Sequence, residues 1–261
     1  MAESIKKYAL CRVSVASVRV ASSDKSELDT QLLFGEPVEI LSQIDNWVKL
    51  RTLIDNYEGW ADGKQLLFVS EPPAKPQYAF ARELVHWAKS TKRRVLISRG
   101  SILPDYKDGW FEVDKERFEY SGEVTLSKAG KIDSTDSAIA LAKDYLGVPY
   151  LWGGRSAFGI DCSGFIQVVF NICGINLPRN ASQQVTLGEN IPYSDRQPGD
   201  LVFFAKDSRV FHVGMLLDND NLIHASGEVR VDPITEQGIY HAGQITFNNN
   251  VFAIRRFFSR L

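Results

Sequence analysis

The sequence predicts an α+β chain: two small all-β barrels, then a domain that opens with helices and closes with an antiparallel sheet. Three observations carry this. Short β-type runs punctuated by Gly, Asp, Asn and Ser fill the first 70 residues or so. A weaker version of that pattern runs from about residue 77 to 126. From about Ile132 the period changes to that of amphipathic helices, followed by a series of strands. The expected divisions are therefore 1–71, 77–126 and 132–261.

In the first region the β-type stretches are Ala9–Ala21, Pro37–Gln43, Trp47–Leu53 and Glu58–Ala61. Strands this short and closely spaced suit a small barrel. Ser70–Pro76 holds three prolines in seven residues and reads as a stiff, extended linker. In the second region Arg94–Ser98 reads as a strand, and Asp108–Val113 as a hairpin turn entering another. The basic run Lys89–Arg94 reads as a solvated loop, since no Gly-rich turn accompanies it. In the third region Ser134 or Asp136 caps a helix through Leu146, stopped by Gly147. A second helix follows Asp161: Cys162, Phe165, Ile166, Val169 and Cys173 share one face, and Gly174 ends it. The strands expected after it are Leu201–Ala205, Val210–Leu217, Leu222–Ser226, Glu228–Val231 and Val251–Phe257.

Composition narrows the function. The chain has 261 residues, with 30 Lys+Arg against 32 Asp+Glu, for a net charge of −2. That gives no basic field for a nucleic acid or a polybasic membrane contact. No apolar stretch reaches the ~18 residues of a membrane helix. The basic N-terminus, Lys6-Lys7, leads to only a brief apolar run before Arg12, which is not a signal-peptide core. The expectation is a cytoplasmic protein, or an exported one if a leader has been removed, and a monomer. Three cysteines do not make a disulfide framework.

Cys162 stands at the first turn of its helix, where free N–H groups and a partial positive charge favour a thiolate and can hold an oxyanion. Taken alone it would read as a small buried hydrophobe, as Cys11 and Cys173 do. Two histidines alter that reading. His212 and His224 lie twelve residues apart in neighbouring strands, with Asp218-Asn219-Asp220-Asn221 as the turn. A three-residue loop sets Gly214 opposite His224 and makes His212 its diagonal neighbour on the same face. An even-length loop separates the rings. A Cys–His–His set would use His212 to take the thiol proton and return it to the leaving amine, with His224 orienting that ring. The rival is a zinc site that adds Cys173. Structural zinc draws on ligands two to five residues apart, so intervals of 11 and 12 disfavour it. No metal or cofactor is expected. His86 and His241 read as structural or surface residues.

The ordered set Tyr150-Leu151-Trp152-Gly153-Gly154, Asp161-Cys162-Ser163-Gly164-Phe165, Leu177-Pro178-Arg179, Pro198 to Phe204, His212-Val213-Gly214 and Ile223-His224-Ala225 resembles the NlpC-type cysteine peptidases of bacterial cell-wall metabolism. Asn46 to Leu50 followed by Tyr57 to Ala61 resembles the bacterial SH3 module, and the second region reads as a divergent copy. The resemblance implies a papain-like fold reduced to a helix on an antiparallel sheet, with Cys162 as nucleophile, His212 as base and His224 as third member. It implies hydrolysis of the γ-D-glutamyl to diamino-acid bond of murein tripeptides or tetrapeptides.

Tyr150 would stand beside the active site, or serve as a core aromatic. Trp152 would wall the groove. Asp161 and Ser163 would contact the substrate, while Asp161 also suits a helix cap. Arg179 and Asp200 would support the fold. A branch of the family with SH3-like barrels releases L-Ala-γ-D-Glu from peptides with a free N-terminal L-Ala; there Glu36 and Tyr57 would supply the acid and tyrosine that read the amine. Two alternatives remain at this point: a wall-binding module with a vestigial catalytic domain, and a thiol acyltransferase on a related fold.

Overall fold

The computed structural model describes residues 7–71, 78–126, 133–241, 244–247 and 251–258. The linker expected at Ser70–Pro76 lies outside these from position 72 onward. The chain divides into two compact units. One comprises Met1–Lys131 with Trp152–Ala157, the other Ile132–Leu151 with Phe158–Leu261.

In the first unit, β1 (Tyr8–Cys11), β2 (Val15–Arg19), β3 (Leu28–Leu33), β4 (Pro37–Ile44), β5 (Trp47–Thr52), β6 (Glu58–Asp62) and β7 (Leu66–Val69) form one antiparallel sheet, in the order β3-β2-β6-β5-β4-β1-β7. The long run read as Ala9–Ala21 is thus two strands with a corner between them. Alternation on β5, with Val48, Leu50 and Thr52 buried, puts one face on the core. That core gathers Ala9, Cys11, Val18, Leu32, Val38 and Leu50. Cys11 keeps its bland role: it is fully buried and its thiol faces the carbonyls of Val13 and Leu32.

The second β-region consists of β8 (Ala79–Ala81), β9 (Val85–Lys89), β10 (Arg94–Ser98), β11 (Trp110–Val113), β12 (Glu116–Glu119) and β13 (Val124–Leu126). They form a four-stranded sheet, β10-β9-β12-β11, and a two-stranded one, β13-β8. Its core includes Phe34 from the first barrel, edge-on to Phe111 at 5.6 Å between ring centroids. Next to Phe34, Gly35 is at φ +74, and a Cβ there would fall 2.0 Å from the carbonyl oxygen of Ile102. Only glycine fits that crossing.

Residues 152–157 lie within the stretch expected to belong wholly to the third domain, yet side chains of the first barrel hold them. β14 (Arg155–Ser156) is fixed by Gln31, whose Oε1 accepts from the Arg155 backbone N–H at 2.8 Å, and by Glu36, which takes the Arg155 guanidinium.

In the second unit, Ser134 accepts from the Ser137 N–H to cap α1 (Thr135–Lys143), which ends a turn earlier than expected; Gly147 at φ +83 then redirects the chain. After β15 (Gly159–Ile160) comes α2 (Cys162–Ile172), every residue of which is buried, as suits a helix that is apolar nearly all round. A short α3 (Ala181–Gln184) follows. The strands β16 (Glu189–Asn190), β17 (Leu201–Lys206), β18 (Arg209–Leu216), β19 (Asn221–Ser226), β20 (Glu228–Thr235), β21 (Gly238–His241), β22 (Gln244–Phe247) and β23 (Val251–Arg256) form a sheet ordered β16-β23-β17-β18-β19-β20-β21-β22. The described partners pair antiparallel, and α2 packs on β18 and β19.

The end of the sheet also differs from the sequence reading. β21 and β22 were not expected, and β20 continues four residues beyond Val231, through Pro233. Pro233 pairs opposite Asn221 with the ladder resuming at the Ile234 N–H, which donates to the Asp220 carbonyl at 2.9 Å.

Candidate active site

Asp161 is the N-cap of α2. Its Oδ1 accepts from the Gly164 N–H at 2.7 Å, which fixes the helix start so that Cys162 is its first residue. Cys162 is only 7% exposed. Burial pushes its thiol up to about 12, and the neighbouring Asp161 charge adds to that; the backbone N–H groups of Val213 and Ser163 and the charge of Arg179 act in the opposite direction. The sulfur therefore sits at the backbone of the residue that follows His212.

β18 and β19 pair with Met215 opposite Ile223 and Leu216 opposite Leu222. Continued by one step, that register sets Gly214 opposite His224. A Cβ on Gly214 would approach the His224 Cβ to 2.9 Å and the Leu222 Cδ2 to 2.7 Å. The absent side chain leaves the space across which the diagonal rings meet: His212 Nε2 is 2.8 Å from His224 Nδ1. Both rings are buried, at 4% and 0% exposure. Burial lowers the basicity of His212, and the neighbouring His224 lowers it further. Burial also lowers that of His224, against the raising effect of Asp232. Burial thus disfavours both the Cys162 thiolate and the imidazolium of each ring.

The alternative zinc set is incompatible with this layout. Cys173 caps the far end of α2, eleven residues from Cys162, which at ~1.5 Å per residue is a separation of ~16 Å. Among the described residues no group of three or more His, Cys, Asp or Glu side chains could hold a metal ion.

Around the thiol, Arg179 forms a buried pair with Asp161. Its Nη1 donates to Asp161 Oδ1 at 2.9 Å and to Ser163 Oγ at 3.0 Å, and its Nη2 bonds Asp161 Oδ2. Arg179, read from sequence as a support of the fold, is thus part of the surroundings of Cys162. The Asp161 carboxylate and Ser163 hydroxyl, expected to face substrate, are engaged by this pair and by the helix cap. Tyr150 is half-buried; its hydroxyl is pushed up by burial and then by the charges of Cys162 and Asp161.

Three further residues surround the histidines and were not singled out from sequence. Asp232 Oδ2 lies 3.0 Å from His224 Nε2 and accepts from Arg230 Nε at 2.7 Å; its Oδ1 lies 3.0 Å from His241 Nδ1. His241, read as structural or surface, is one of the groups that hold this carboxylate.

In the first unit, Glu36 is not available to an incoming amine. It is 2% exposed, and its two oxygens each accept from Arg155 at 2.9 Å while Oε2 also takes the Leu33 N–H. The reason is the cost of a buried charge: the carboxylate is stable there only with a guanidinium and an N–H on it. Burial still raises its pKa, with Arg155 opposing. Tyr57 donates instead to Asp29 Oδ1 at 2.8 Å. Trp152 is 60% exposed, and its Nε1–H donates to Glu27 Oε1 at 2.8 Å.

A buried cysteine at a helix start, packed on a sheet that carries two bonded histidines, is the arrangement of a papain-like thiol hydrolase. Residues 147–245 match the NlpC/P60 family, and residues 18–66 match the bacterial dipeptidyl-peptidase SH3 domain. The chain thus carries an NlpC/P60 cysteine-peptidase domain and, before it, a bacterial dipeptidyl-peptidase SH3 domain. It is 29% identical over 251 residues to a Bacillus cereus protein named gamma-D-glutamyl-L-lysine dipeptidyl-peptidase, covering 83% of this chain and 73% of that one. A Bacillus subtilis protein of the same name is 28% identical over 251 residues, covering 89% and 82%. Among solved structures, an NlpC/P60 family protein from Bacillus cereus superposes with a TM-score of 0.85 at 22% identity, over 97% of this chain and 100% of that one. That likeness bears on the fold.

Proposed function

We propose that the protein is a dipeptidyl-peptidase of murein stem peptides, which cleaves the bond between γ-D-Glu and the diamino acid and releases L-Ala-γ-D-Glu from peptides with a free N-terminal L-Ala. The observation that carries this is the coexistence, on one chain, of the NlpC/P60 match with the bacterial dipeptidyl-peptidase SH3 match. The relatives from two Bacillus species, whose names specify a γ-D-glutamyl bond, support it over most of the chain.

The proposed steps follow from the Cys162, His212 and His224 assignment. His212 takes the proton of Cys162 as the sulfur attacks the γ-carbonyl carbon. The oxyanion develops at the start of α2, where N–H groups and the helix dipole favour it. The imidazolium of His212 then protonates the departing amine, and the C–N bond breaks to leave a thioester. Water, deprotonated by the same ring, hydrolyses the thioester and restores the thiol. Burial of all three side chains strengthens each electrostatic contact in this sequence.

A substrate ammonium calls for a carboxylate. Within the first barrel, Glu36 is taken up by Arg155, and Asp29 is the carboxylate hydrogen-bonded to Tyr57. Recycling of peptide fragments sets the enzyme in the cytoplasm as part of the same proposal, with cell fractionation as its check.

The test is to incubate the purified protein with L-Ala-γ-D-Glu-L-Lys, with its diaminopimelate counterpart, and with the N-acetylated form of each, and to identify products by mass. Release of the free dipeptide from the unblocked peptides, strongly reduced on acetylation, is expected. Equal rates on blocked and unblocked peptides would remove the free-amine requirement, and no cleavage of any of them would remove the substrate class.

A further inference from the structure

We propose that Asp232 is a positioning residue that sets the proton arrangement of the whole histidine relay, fixing both rings so that Nδ1 of His212 is the nitrogen that takes the thiol proton.

Donors and acceptors around Asp232 fix the protons. An ionised carboxylate only accepts. Asp232 is 4% exposed, and three groups converge on it: His224 Nε2 at 3.0 Å and Arg230 Nε at 2.7 Å on Oδ2, and His241 Nδ1 at 3.0 Å on Oδ1. The Arg230 guanidinium always donates, and its charge keeps the carboxylate ionised. His224 Nε2 must then carry a hydrogen. A neutral His224 protonated at Nε2 has a bare lone pair at Nδ1, which can only accept. That nitrogen is 2.8 Å from His212 Nε2, so the His212 hydrogen resides at Nε2. A neutral His212 protonated at Nε2 has an unprotonated Nδ1, which is a base. Each assignment follows from the one before, and the chain of inference starts at Asp232.

The elements involved are separate strands held in register. His212 is on β18, His224 on β19, Asp232 and Arg230 on β20, and His241 on β21. His224 pairs opposite Arg230 in the β19–β20 ladder, so the Asp232 carboxylate reaches a diagonal neighbour, as His224 reaches His212. The same diagonal step is used twice across three strands. During turnover, the positive charge that forms on His212 faces His224 and, behind it, the negative charge of Asp232; Arg230 and a protonated His241 oppose it.

The tautomers can be read without substrate, so this proposal and the reading of Cys162 as nucleophile, on which its catalytic meaning rests, fail separately. The experiment uses the full chain with ¹⁵N-labelled histidine and long-range ¹H–¹⁵N spectra, together with kinetics on the unblocked tripeptide. In the wild type, His212 and His224 are both expected as Nε2–H tautomers. In Asp232→Asn the amide oxygen takes the Oδ2 place, because two donors demand an acceptor there. The tautomers then persist and kcat stays within about tenfold. The acid limb of the pH profile moves to lower pH, since the anion that favoured the imidazolium is gone.

In Asp232→Ala the tautomers mix and kcat falls about 10–100-fold with KM little changed, the range typical of lost ring-orienting partners. A wild-type spectrum with His212 or His224 protonated at Nδ1 would overturn the proposal, as would an Asp232→Ala protein with unmixed tautomers and wild-type kcat. If the alanine variant does not fold, the wild-type spectrum and the asparagine pH limb decide. An unmoved limb there would assign Asp232 a merely structural part and overturn the proposal.

Discussion

Replacing Arg179 by Met removes the guanidinium paired with Asp161 at the start of the Cys162 helix. The structure sets the size of the effect. Arg179 is 2% exposed and Asp161 5%, and the guanidinium forms two bonds to the carboxylate and one to Ser163. Breaking a buried pair by removing one partner costs about 3–5 kcal/mol, because the other charge is stranded. At about 2–4 °C per kcal/mol, the melting temperature should fall by about 6–20 °C.

A second effect concerns the sulfur. Asp161 raises the Cys162 thiol and Arg179 lowers it, so losing Arg179 raises it further. For each tenfold rise in thiol basicity the thiolate fraction drops tenfold, while its intrinsic nucleophilicity rises about threefold; alkylation by iodoacetamide at fixed pH therefore slows about three- to fourfold. Asp161→Asn should destabilise by a comparable amount but speed alkylation, because the sign of the stranded charge is reversed. The double variant should recover much of the stability lost in either single one. The assays are thermal unfolding and the rate of Cys162 labelling followed by mass. Two single variants that shift labelling in the same direction, or a double variant no more stable than the singles, would refute the reasoning.

Two further predictions concern stability. His212 and His224 have folded-state pKa values below the ordinary 6.5, so the unfolded chain binds more protons in mild acid. Their contribution is fully present above about pH 6.5 and is lost as pH falls through the folded values. The melting temperature should therefore decline from about pH 7 toward pH 5, and His212→Asn should flatten that slope; an unchanged slope would contradict the burial argument. In the first barrel, Glu36→Gln leaves the Arg155 guanidinium buried beside a neutral amide, at a cost of about 3 kcal/mol or more. Urea unfolding of the variant measures this, and a midpoint equal to wild type would mean that the pair contributes nothing.

Much of the arrangement of the candidate site was legible in the sequence because its parts are local or one strand apart. The helix of Cys162 announces itself by apolar spacing and by an Asp cap. The His212–His224 contact follows from one turn and one register, with Gly214 leaving the space. What was hidden depends on longer-range pairing. Asp232 follows Val231 and precedes a proline that, read alone, ends a strand; in the sheet the strand continues past Pro233, and the carboxylate reaches His224. Glu36 read as an acid for the substrate amine because nothing near it in sequence shows its partner, Arg155, 119 residues away. Phe34 of the first barrel fills the core of the next, a partner that spacing does not show. Spacing within one element carries no information about such partners.

The central claim is that the Cys162 sulfur carries the acyl group during turnover. Rapid acid quench of the enzyme with L-Ala-γ-D-Glu-L-Lys, followed by peptide mass mapping, addresses it directly. The prediction is an L-Ala-γ-D-Glu adduct on the peptide that contains Cys162, absent in Cys162→Ala, which keeps its fold and releases no dipeptide. Dipeptide release by the alanine variant would contradict the account.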